Sequence, residues 1–142
     1  MRALGGFDVH LGAGSPGRGG EDQDAFLRVI LNGRRIVYDP RAIVWHYHRR
    51  DVAALKRQIR GSGVGLSAII TKLMLQRGTR RDLLSRTRPG FRHLLAPSSP
   101  KNQHKAPGFP RGLTVAELLG VSVGPFAYCL SRCRERVLGD AA

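Results

Sequence analysis

Acidic side chains are scarce in this 142-residue chain: 10 Asp and Glu stand against 24 Lys and Arg, a formal net charge of +14. That imbalance excludes a surface built for cationic partners and favours polyanions: lipid head groups, nucleic acid or a nucleotide diphosphate. Cysteine is nearly absent. Cys129 and Cys133 alone give neither a disulfide framework nor a four-ligand zinc site; their spacing puts them on one helix face, as small core or interface residues. Aromatic residues make up 6%, and the basic stretch 77–105 holds only Phe91 for base stacking, which disfavours nucleic acid. No uncharged apolar run reaches about 18 residues, so no membrane span is expected. Met1-Arg2-Ala3-Leu4-Gly5-Gly6 leads into turn-like sequence without an apolar signal segment.

What is present is enough for one domain with a core: 42% apolar and 24% charged residues, with 18 glycines and 8 prolines that imply long loops. The charge is concentrated. Residues 51–105 carry 12 basic and 2 acidic groups, while 1–50 carry 8 and 5, and 106–142 carry 4 and 3. Much of the excess is arginine, which a GC-rich coding sequence would also favour.

Gly12 to Gly20 is dominated by Gly and Pro and reads as a loop able to cover a site. Glu21 to Leu31 reads as a helix, with acids in the first turn, an apolar stripe through Phe26, Leu27, Ile30 and Leu31, and Asn32-Gly33 as a stop. Arg35–Tyr38 and Ala42–Trp45 read as two short strands around an Asp39-Pro40 turn. Asp51 is placed to cap a helix starting at Val52. Gly61-Ser62-Gly63-Val64-Gly65 should interrupt that helix, because each glycine costs on the order of 1 kcal/mol there; the helix then resumes from Leu66 to Gln76. Without a Lys-Ser or Lys-Thr ending or a preceding strand, the glycine run is a poor phosphate loop. Residues 77–112 read as a basic connector, and 113–142 as an apolar helical tail, broken at Gly124-Pro125, that suits either a membrane surface or a core.

The chemistry-bearing residues lie in the first half. Asp22, near a helix N-terminus with Glu21 and Asp24 beside it, is placed to accept the proton of an attacking hydroxyl. Taken alone, these three acids are equally ordinary first-turn residues. His46, at a strand end and flanked by apolar residues that would bury it, is a candidate metal ligand or a core histidine. His48 faces the other side by alternation, and Arg49 lies within reach of a diphosphate or of solvent.

Taken together, Leu4-Gly5-Gly6-Phe7-Asp8, then Gly20-Glu21-Asp22-Gln23-Asp24 with Arg28, then Gly33–Pro40, then Val44-Trp45-His46 resemble the second half of a family 2 glycosyltransferase with the GT-A fold, from about Leu4 to Leu75. The resemblance implies a truncated α/β unit: helix, two short strands, a long broken helix, then a loop-rich basic tail. It assigns 1–76 to the C-terminal, acceptor-side half of such a domain. Asp22 would be the general base of an inverting transfer from a nucleotide-sugar donor to an acceptor hydroxyl, with Glu21 and Asp24 in support. His46 would bind a divalent Mn or Mg, and His48, Arg49 and Arg57 would contact substrate or diphosphate. Gln58-Ile59-Arg60-Gly61-Ser62 does not match the Gln-x-x-Arg-Trp of processive synthases. The family's nucleotide-binding half and its Asp-x-Asp metal motif have no counterpart in these residues, so the chain is expected to be a fragment, inactive alone and completed by an N-terminal half. The location implied is the cytoplasm, at the inner face of the membrane if the tail associates with lipid. The alternative is a non-enzymatic basic module that binds anionic membrane or nucleic acid through 51–105.

Overall fold

The computed structural model describes residues 5–47, 51–103, 105 and 108–139, with side chains up to Glu135. Four helices carry it: α1 (Glu21–Leu31), α2 (Val52–Leu75), α3 (Arg77–Leu95) and α4 (Arg111–Gly139). Among the described residues there is no strand, so the expected α/β unit is corrected to an all-helical one. The two β-rich runs are present as extended chain without a ladder. Val44 and Trp45 are 88% and 89% exposed, and the segment is ordered by a turn in which the Ala42 N–H donates to the Asp39 carbonyl at 3.1 Å and Arg41 pairs with the Asp39 carboxylate at 2.8 Å. Two four-residue strands make a hairpin too weak to persist without a surface to cover one face, and nothing in the described chain covers this one.

α1 begins at Gly20, whose φ of 94° suits glycine and whose position has no side-chain cap. α2 begins at Asp51, whose carboxylate accepts from the Ala54 N–H at 2.8 Å as its sequence position predicts. The expected break at 61–65 does not occur, and α2 runs unbroken through all three glycines. Its register against α4 gives the reason. A Cβ on Gly63 would stand 2.3 Å from the Glu117 carbonyl oxygen; one on Gly120 would stand 2.2 Å from that of Arg60; one on Gly124 would meet Ser67 and Val64. Contacts climb both helices together, so α2 and α4 run parallel, backbone against backbone, along a glycine seam. The packing gained by that approach outweighs the helix-propensity loss that the glycines carry. α4 likewise continues through Pro125, where a break was expected.

Parallel helices need a return connection. It is α3 together with 96–110. The stretch expected to be an irregular connector is therefore helical over Arg77–Leu95, although no residue of α3 is buried. The core is small: Leu11 from the N-terminal loop, Ala68 and Ile69 from α2, and Tyr128 from α4, with Leu27 and Leu73 packed against them. Cys129 and Cys133 are exposed on α4, not in a core.

Candidate functional site

An open groove of about 1040 Å³ runs between the N-terminal loop, the first turn of α1 and one face of α2. Asp22 and Glu21 line it from α1, His46 from the extended segment, Arg57 and Ser62 from α2, and Arg18 from the loop. Two glycine contacts set its floor. A Cβ on Gly65 would stand 2.7 Å from the Gly19 carbonyl oxygen, and one on Gly20 would stand 2.7 Å from the Ile69 side chain. The start of α1 is thus seated directly on α2. Asp22 is exposed to the groove, and one of its carboxylate oxygens accepts from the Gln23 N–H at 2.8 Å. His46 is exposed, against the expectation that its apolar neighbours bury it. Of the seven residues singled out in the sequence, the structure brings four to this groove: Glu21, Asp22, His46 and Arg57. His48 and Arg49 lie outside the described residues.

Asp24 goes elsewhere. It is 1% exposed and sits in an ion-pair network under the loop. One oxygen takes the Arg28 Nε at 2.8 Å and the other takes Lys72 Nζ at 2.8 Å. Lys72 also holds Asp8 at 2.7 Å, and Arg28 donates to the Gly6 carbonyl at 2.6 Å. Burial works to raise the Asp8 pKa, but the hydrogen bonds from Lys72 and from the His10 N–H, with the Lys72 charge, hold it below the ordinary carboxylate value. The third acid of the cluster therefore pins the loop to α1 and α2, while the second faces solvent.

A second fastening joins the loop to α4. His10 stands 3.3 Å from the Ser131 hydroxyl and 2.8 Å from the Glu135 carboxylate, edge-on to Tyr128. Burial foremost, with the Asp8 charge behind it, pushes the Tyr128 phenol up to about 12. These clamps fix the loop that forms one groove wall.

The sequence assigned no role of their own to Lys72, Asp8, Arg18 and Ser62. Lys72 did leave a signal: it is the single charge between Leu66 and Leu75, and a lone cation in an apolar helical stretch implies a buried anion to meet it. Arg18 is the one non-glycine residue with positive φ among those described, at 59°, which no local sequence rule foretells.

Carboxylate and imidazole are donors that suit Mn or Mg. Among the described residues, however, no three ligating side chains converge. No family model matches the chain, no curated protein matches it in sequence, and no solved structure matches its fold.

Proposed function

We propose that residues 1–76 form the acceptor-side part of an inverting glycosyltransferase, which acts when a nucleotide-binding half supplies the sugar-nucleotide donor. One observation carries this reading: Asp22, His46 and Arg57, drawn from three separate segments, line a single groove large enough for a sugar acceptor. In the reaction, the acceptor hydroxyl lies in the groove against Asp22. Its oxygen attacks the anomeric carbon as the Asp22 carboxylate takes its proton, and the bond from that carbon to the nucleotide diphosphate breaks. Arg57, and with it His46, present nitrogen donors to the departing anion. Glu21 lines the groove beside Asp22 and supports the site.

The test measures nucleoside diphosphate released from UDP- or GDP-sugars in the presence of acceptor, with the chain completed by a nucleotide-binding half. Asp22→Asn should lower the turnover by about 10²- to 10⁴-fold and leave donor KM unchanged. Asp22 is exposed, so the variant folds. Transfer at the wild-type rate by Asp22→Asn removes this carboxylate from the base role.

A further inference from the structure

The face of α4 turned away from α2 has no partner among the described residues. Helical spacing places Val115, Leu119, Phe126 and Leu130 along it, all exposed, Phe126 at 77%. Between Arg111 and Arg132 the helix carries a single charge, Glu117, and that side chain is taken by Lys101 at 2.5 Å. The stretch Arg111–Glu135 is long and apolar enough to cross a bilayer, with a third of its most apolar window buried. The geometry points to a different use: this face lies in the interface of an anionic phospholipid bilayer, with the helix parallel to the membrane plane.

Three observations select that partner and that pose. First, the opposite face of α4 is locked to α2 at backbone distance through Gly63, Gly120 and Gly124. A crossing α4 would draw α2 into hydrocarbon with Lys56, Arg57 and Arg60, which are exposed and costly there. Second, exposed arginines bracket the apolar face, Arg111 at its start and Arg134 at its end, where their stems can lie along lipid and their heads reach phosphate. Third, the charge complements an anionic surface. The net charge is +14, and α3 adds six arginines against one acid, with no buried residue. A second copy would bring the same +14 against itself, and a nucleic acid offers nothing apolar to cover Phe126 and Leu119. The inference is independent of the glycosyl-transfer reading, since it uses no residue of the groove's carboxylate cluster.

The experiment is co-sedimentation of the full chain with vesicles of phosphatidylcholine, with and without phosphatidylglycerol, read alongside size-exclusion chromatography. Binding to the anionic vesicles should exceed binding to the neutral ones by at least about tenfold, and salt should weaken it. Leu119→Glu and Phe126→Glu, both at exposed positions, should each reduce the bound fraction by about tenfold, while Val37→Glu, on the other exposed apolar segment, should not. A fluorophore on Cys129 in a Cys133→Ser background should shift to the blue on anionic vesicles and stay accessible to a quencher added outside. Three results would overturn the inference: equal binding by the glutamate variants, a dimer that those variants dissolve, or a probe shielded from the outer quencher together with resistance to alkaline extraction.

Discussion

Lys72 reconciles two buried carboxylates, Asp8 and Asp24, whose side chains are 12% and 2% exposed. Removing it leaves both without their shared cation, and breaking a buried pair by deleting one partner costs about 3–5 kcal/mol. Lys72→Met should lower unfolding stability by that amount in a urea titration. Adding Asp24→Asn should recover part of the loss. A Lys72→Met chain as stable as the parent would show that the network adds nothing. Asp8 gives the same network a pH signature. Its folded-state pKa lies below the ordinary 3.8, so it contributes stability that is present above 3.8 and lost as pH falls through the folded value. The acid arm of a melting-temperature profile should flatten in Asp8→Asn. At this scale the sequence announced Asp22 through its place in a first turn. It did not reveal that Asp24 is buried against Lys72, because two carboxylates two positions apart on one helix point in different directions, and only the fold says which one meets Lys72.

Gly61 and Gly63 show what local propensity leaves out. Both lie inside α2, two residues apart. A Cβ at Gly61 meets nothing within 4 Å, whereas one at Gly63 meets the Glu117 backbone. Gly61→Ala should therefore stabilise by about 0.5–1 kcal/mol. Gly63→Ala should destabilise, because it forces α4 away from α2, and chemical denaturation of the pair separates the two cases. Equal effects of the same sign would mean that the helices are not in backbone contact. A reading by propensity sees three glycines and infers a break; the helix continues because Gly63 seats α4, which arrives some 55 residues later in the chain, and Gly65 seats the start of α1. The strands failed for the converse reason. Their residues favour extended chain, and the chain is extended, but a ladder needs a second surface that propensity does not supply. The helix boundaries at Glu21, Leu31 and Val52 were legible because capping and dipole signals are local.

The molecule as a whole is a parallel helix pair with a loop strapped across one end and positive charge outside. The strap brings an alkaline limit. Tyr128 is 3% exposed, and its pKa is raised from 10.0 to about 12. A raised value means stability that is complete below 10.0 and lost as pH climbs through the folded pKa. Tyr128→Phe should hold its melting temperature over that window better than the parent, and the part of the tyrosinate absorbance that Tyr128→Phe removes should appear with unfolding instead of before it. Composition had foretold the positive exterior, since charge is additive and needs no fold. It had not foretold that α3 would be helical with no buried residue.

α2 is one stiff rod with Arg57 on the groove near its first turns and Lys72 near its last, roughly 22 Å further along at 1.5 Å per residue. The far end grips the loop whose middle forms the groove's opposite bank. The loop held at Lys72 thus carries Arg18 on the bank that faces Arg57. The width of the groove can be altered by a substitution that no ligand ever touches, and selection for a new guest could begin there.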